Sequence, residues 1–167
     1  MDMRDVLVVS IAFCAIPLFA QWNGNATYYN PNGSYGGSAR TTQFGNTTQT
    51  TFHNQNGSYG GNAQTFRTGN GAQTTFYNAN GSLGGTAWTS QFGNAANTTY
   101  YNANGSYGGS SRPTTFGNQT TTYHYGANGA SAGRSVTTRF GNQTTTTHYG
   151  ANGAQTGRTT SNNVGGW

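Results

Sequence analysis

Small or apolar side chains alternate with polar ones along this chain in short runs, and the runs recur. In "TTQTTFHN" (residues 47–54) one face collects Thr48, Thr50 and Phe52; in "GGNAQT" (60–65) it collects Gly61, Ala63 and Thr65. The residues between them, such as Gln49, Thr51 and Gln64, are polar. A period of two belongs to a β-strand with one covered face. Abundant Thr and aromatic residues suit strands, while the Gly and β-branched content disfavours helix.

Glycine punctuates these strands in strict register. Asn-Gly recurs at Asn32-Gly33, Asn56-Gly57, Asn80-Gly81, Asn104-Gly105, Asn128-Gly129 and Asn152-Gly153, each 24 residues from the last. Midway fall Gly45, Gly69, Gly93, Gly117 and Gly141, usually as Phe-Gly-Asn. Both series predict tight turns, with Asn and Gly each tolerating positive φ. The unit is a 24-residue strand–turn–strand repeat, and residues 27–167 hold five copies and part of a sixth after a short segment at 21–26. Register this strict marks stacked structural repeats and not a disordered chain.

Folding about Asn56-Gly57 sets Phe52 opposite Gly61, Thr50 opposite Ala63 and Thr48 opposite Thr65. Folding about Thr68-Gly69 sets Thr65 opposite Ala72, Ala63 opposite Thr74 and Gly61 opposite Phe76. Both folds choose the same inward set, and the column Arg40, Gln64, Trp88, Arg112, Val136 and Thr160 points outward. The expected architecture is all-β: a flattened two-sheet β-solenoid, one repeat per rung, with rungs about 4.8 Å apart. Equivalent residues then form ladders, the turn asparagines in one and Tyr29, Tyr77, Tyr101, Tyr125 and Tyr149 in a stacked-ring ladder. The alternative is an antiparallel β-meander in one sheet, which leaves one face without cover. Pro113, inside a strand segment, is expected to interrupt one ladder.

The first twenty residues break the pattern. "MDMRDVLVVSIAFCAIPLFA" carries an apolar run from Val6 to Phe19 and ends on Ala20. Its length suits a secretory signal peptide at 1–20, giving a mature chain from about Gln21. Asp2 and Asp5 are the only carboxylate side chains and Cys14 the only cysteine, so the mature chain has neither. It has no lysine and six arginines: the seven basic residues less Arg4.

This inventory removes whole classes of chemistry. Paired-carboxylate catalysis, hard-cation sites and thiolate sites lack their residues. A Ser-His pair has no acid to orient the imidazole. His53, His124 and His148 stand in columns otherwise filled by Tyr or Phe and are read as ring fillers. The expectation is a non-enzymatic protein without cofactor or metal. The basic balance suits anionic polysaccharide or DNA as partners.

"QFGNTTQ" at 43–49 places Gln, Gly, Asn and Gln as they tend to fall in curlin repeats, and the strand–turn–strand unit follows a secretion signal. In these respects the chain resembles bacterial curlin-type functional-amyloid subunits, although those repeats lack the Asn-Gly-Ser-Tyr-Gly-Gly turn. The resemblance implies a secreted, cell-surface subunit polymerising head-to-tail into extracellular cross-β fibres of a biofilm matrix. Its partners would be its own copies, secretion or nucleator proteins, and no membrane once the leader is cleaved. Uncapped solenoid ends point the same way. The alternatives are an ice-binding solenoid, using the outward column Thr27, Thr51, Thr75, Thr99 and Thr147 interrupted by Tyr123, and a surface adhesin binding carbohydrate through exposed Tyr and Trp88.

Overall fold

A computed structural model describes residues 24–92 and 95–163 of the chain. The leader at 1–20 and the turn at Gly93 lie outside the described residues. The repeats become twelve strands: β1 (Gly24–Tyr29), β2 (Tyr35–Phe44), β3 (Thr47–Asn54), β4 (Tyr59–Thr68), β5 (Gly71–Asn78), β6 (Leu83–Phe92), β7 (Ala95–Asn102), β8 (Tyr107–Phe116), β9 (Gln119–Gly126), β10 (Ser131–Phe140), β11 (Gln143–Tyr149) and β12 (Gln155–Asn163). Each pairs antiparallel with its neighbours in sequence, and β1 pairs with β12, so the sheet closes into a barrel.

The all-β content is as expected, but the two-sheet solenoid is not what forms, nor the parallel cross-β stack of a functional amyloid. The turns explain why. A solenoid rung must cross from one sheet to the other, about 10 Å, whereas hydrogen-bonded neighbours lie under 5 Å apart. Phe44 pairs with Thr47 across Gly45-Asn46, and Thr68 with Gly71 across Gly69-Asn70. Two residues span only the shorter distance. Gly45 (φ +56°) takes the left-handed conformation and Asn46 does not, the Gly-first pattern of a type II′ hairpin. The meander's uncovered face becomes the inside of the barrel. Closure rests on the twist accumulated over twelve strands.

At the other end each loop is a three-residue hairpin turn. Gly33 N–H donates to the Asn30 carbonyl and Asn30 N–H to the Ser34 carbonyl, both at 2.9 Å. Only Gly33 (φ +81°) is left-handed, and Asn32 keeps an ordinary negative φ. Its use is a side-chain one: Asn32 Oδ1 accepts from Ser34 N–H at 3.0 Å.

Register follows from the turns. Phe52↔Gly61, Thr50↔Ala63 and Thr48↔Thr65 pair as expected. The next hairpin is offset by two, with Thr65↔Thr74, Ala63↔Phe76 and Gly61↔Asn78, because its turn centres on Gly69-Asn70 and not on Thr68-Gly69. A shift of two leaves every side chain on its face. The inward set is therefore unchanged, with Ala39, Thr41, Thr50, Phe52 and Ala63 buried. One inner layer alternates large and small: Phe52 sits between Ala39 and Gly61, Tyr100 between Ala87 and Gly109. That alternation is how a barrel interior fills.

Candidate binding surface

Inside the barrel the ring layer changes chemistry around the circumference. Phe52 and Phe76 face alanines, whereas His124 and His148 face Ser111 and Ser135. Tyr100 Oη and Ser111 Oγ are 3.1 Å apart. His124 Nε2 lies 3.0 Å from Ser135 Oγ, which lies 3.0 Å from His148 Nδ1; His148 Nε2 reaches Thr159 Oγ1 at 2.9 Å. Burial lowers both imidazoles to about 4, with the neighbouring His148 adding to the effect on His124, so both are neutral near pH 7. His124 and His148 thus stand in the inner ring layer as members of a polar network. Among the described residues no three metal-ligating side chains cluster. His124, Ser135, His148 and Thr159 are all buried.

The outside is where side chains meet solvent. The last outward position of each eight- or seven-residue strand, or of β1, carries a ring: Tyr29, His53, Tyr77, Tyr101, Tyr125 and Tyr149. The residue that starts the following strand lies beside it: Tyr29↔Tyr35, His53↔Tyr59, Tyr77↔Leu83 and Tyr101↔Tyr107. This second set is outward only because of a bulge. Pairing slips between Tyr28 and Tyr29, where Gly36 is the extra residue. Without the slip, Tyr35 would share the inward face of Gly37; with it, the ring is re-aimed to the outside. Gly60, Gly84 and Gly108 do the same in their repeats.

The product is a belt of rings along the loop end, widest where Tyr35, Tyr59 and Tyr107 stand and narrower at Leu83, Ser131 and Gln155, which take the same place in the other repeats. Tyr35, Tyr59, Leu83 and Tyr107 are each 40–43% exposed. Tyr101 and Tyr107 meet edge to face with centroids 6.5 Å apart, and Asn62 Nδ2 donates to Tyr59 Oη at 2.9 Å. The guanidinium of Arg134 lies 5.0 Å over the Tyr149 ring and that of Arg158 lies 5.5 Å over Tyr29. At the opposite end Phe44, Phe116 and Phe140 are largely exposed beside their turns. Between the two ends the wall is mixed, with Arg40, Gln64, Thr42 and Arg112 outward alongside the exposed Trp88 and Tyr123. An outward arginine at a bilayer midplane costs roughly 2–4 kcal/mol, and this band carries Arg40 and Arg112.

The predicted turn residues fall where turns are: Asn32, Gly33, Asn56, Gly57, Asn80, Gly81, Asn104, Gly105, Asn128, Gly129, Asn152 and Gly153 at the belt end, and Gly45, Gly69, Gly117 and Gly141 at the other. Tyr29, Tyr77, Tyr101, Tyr125 and Tyr149 share one level, but at least one intervening strand separates each from the next, so their partners differ: Tyr35 and Arg158 for Tyr29, Leu83 for Tyr77, Tyr107 for Tyr101, Ser131 for Tyr125 and Arg134 for Tyr149. The threonine column Thr27, Thr51, Thr75, Thr99 and Thr147 likewise occupies alternate strands of a curved wall. Tyr35, Tyr59 and Tyr107 are the surface residues that sequence reasoning missed. Their signal was the Gly-Gly pair after each, since glycine inside a strand marks a bulge. No protein-family model matches the chain, and no curated protein or solved structure matches it.

Proposed function

We propose that this chain is an exported, non-enzymatic binding module that holds polysaccharide against the tyrosine belt of its barrel. The observation that carries the reading is the bulge-directed turning of Tyr35, Tyr59 and Tyr107 to the outside, beside rings that already face outward. Tyrosine offers a large, stiff, amphipathic contact at small entropic cost. Its π-face packs on the C–H face of a pyranose, and its hydroxyl and neighbouring Asn, Ser and Thr groups serve sugar hydroxyls. Rings on strands are held more rigidly than rings on loops. Strand-addition growth needs an unpaired edge, and the β1–β12 pairing leaves none among the described strands, so the wall supports a binding role better than a fibre role. The test is retention of the full chain on a panel of immobilised neutral and charged polysaccharides, compared with the Tyr35→Ala/Tyr59→Ala/Tyr107→Ala variant. Binding that disappears in the variant, with unchanged thermal unfolding, supports the belt; undiminished binding removes it.

A further inference from the structure

One stretch of the outer wall differs from the rest. On β8, Arg112 pairs across to Tyr123 on β9, and Tyr123 pairs on its other side to Arg134 on β10. Arg134 pairs to Tyr149 on β11. Arg158 on β12, two residues along from the bulge beside Tyr149, pairs to Tyr29 on β1. Six adjacent strands thus each present an arginine or a tyrosine on the outside, in register from Arg112 to Tyr149 and again between Arg158 and Tyr29, with Arg158 set diagonally to Tyr149 because its partner on β11 is Thr147. The strip crosses five inter-strand intervals, about 24 Å. Tyr123 is the residue that interrupts the outward threonine column, and it stands between two arginines.

Arg112, Arg134 and Arg158 stand on alternate strands, whose backbones lie about 10 Å apart. The described barrel contains no Asp or Glu, so no carboxylate of its own competes for them. Arg134 and Arg158 lie over rings and both residues are exposed, so the contact with the ring face limits guanidinium motion while N–H groups stay accessible to solvent. A guanidinium edge binds a sulfate or carboxylate with two parallel hydrogen bonds.

Resting on the polysaccharide reading above, we infer that Arg112, Tyr123, Arg134, Tyr149, Arg158 and Tyr29 form a binding strip for a linear anionic polysaccharide, one carrying sulfate or carboxylate groups along its length. Single-stranded nucleic acid fits less well. Its binding depends on bases stacked on open aromatic faces in a basic groove. Here two of the three rings already carry a guanidinium, and the wall is convex.

The experiment uses the full chain on three probes at matched ionic strength: a sulfated linear glycan, its desulfated neutral counterpart, and an oligothymidylate of similar charge. Two triple variants of equal net charge are compared, Arg112→Gln/Arg134→Gln/Arg158→Gln on the strip and Arg40→Gln/Arg67→Gln/Arg139→Gln away from it. The expected result is sulfated glycan bound at least tenfold more tightly than either other probe, with that preference lost in the strip variant and kept in the control. Equal losses in both variants would reduce the effect to bulk charge and overturn the strip, as would tighter binding of the oligonucleotide. Binding of neutral glycan through the belt, with no added affinity for the sulfated one, sinks the strip alone. Absence of binding to every glycan sinks the belt reading with it.

Discussion

Pro113 on β8 faces Thr122 on β9 inside the barrel, and Thr122 Oγ1 is buried without a hydrogen-bond partner. At four equivalent pairs two threonine hydroxyls meet: Thr41–Thr50 at 3.0 Å, and Thr65–Thr74, Thr89–Thr98 and Thr137–Thr146 at 2.9 Å. Proline also lacks the N–H that would face β7, and the β7–β8 register stops at Thr98↔Ser111, short of it. The ladder interruption expected from the sequence is present.

Pro113→Thr is therefore expected to stabilise the barrel. It restores a backbone bond and gives Thr122 a partner, each worth about 1 kcal/mol, against roughly 0.4–1 kcal/mol lost by freeing the unfolded chain. A net gain of about 1 kcal/mol raises the Tm by about 3 °C. Slower amide exchange at Ala96, which extension of the β7–β8 register sets opposite residue 113, should accompany it. A Tm that falls or stays still would show that the strand pair has adapted to proline.

The inner and outer faces were readable from the sequence because period-two alternation survives any even shift of register. Thr50, Phe52 and Ala63 were assigned inward and are buried, despite the two-residue offset in the following hairpin. Closure was not readable in the same way. It depends on a turn's span and on summed twist, and neither is carried by a side-chain pattern. The outward aim of Tyr59 was hidden for a related reason: strict alternation from Gly61 puts it inside, and only the extra residue at Gly60 moves it out.

A second expectation concerns three positions that change together between repeats. Asn54 Nδ2 donates to Ser58 Oγ at 2.9 Å, and its Oδ1 lies 3.0 Å from where a Cβ on Gly60 would stand. Asn78 with Gly84 and Asn102 with Gly108 repeat this at 3.1 and 3.2 Å. Where the asparagine is absent, at Gly126 and Gly150, the serine becomes Ala130 or Ala154 and the bulge residue gains a side chain, Ala132 or Thr156. Gly60→Ala alone should cost about 1–2 kcal/mol through overpacking. Asn54→Gly/Ser58→Ala/Gly60→Ala, which copies the fifth repeat, should recover most of that. Urea midpoints decide it; a neutral single variant refutes the coupling.

Acid should loosen the half of the barrel that contains the imidazoles. His124 and His148 have folded values lowered to about 4 from the ordinary 6.5, mainly by burial. Their neutral forms are favoured by folding, so the stability they support is complete above about pH 6.5. It falls as pH drops towards 4, where the unfolded chain binds protons that the folded one excludes. The loss is on the order of 3 kcal/mol per imidazole. With no Asp or Glu in the described barrel, no side-chain carboxylate titration overlaps this window. Phenylalanine occupies the equivalent places in two repeats beside alanine, so His124→Phe/Ser111→Ala/His148→Phe/Ser135→Ala should flatten the profile. Unfolding midpoints at pH 7 and pH 4 that differ as much in the variant as in the natural chain would assign the acid response elsewhere.

The last expectation tests closure itself. Thr27 on β1 and Thr160 on β12 are register partners with both side chains outward. Neighbouring antiparallel residues have Cα atoms about 4.5–5.5 Å apart, within the reach of a disulfide. Thr27→Cys/Thr160→Cys should form that bond within one chain, at a yield independent of protein concentration, and oxidation should raise stability by a few kcal/mol because the loop it closes is long, on the order of 4 kcal/mol in the chain-entropy picture. In an open stack of rungs the same two residues occupy opposite ends, and oxidation gives only dimers and longer chains. Non-reducing electrophoresis across a hundredfold dilution distinguishes the two, and a yield that falls with dilution is incompatible with a β1–β12 seam.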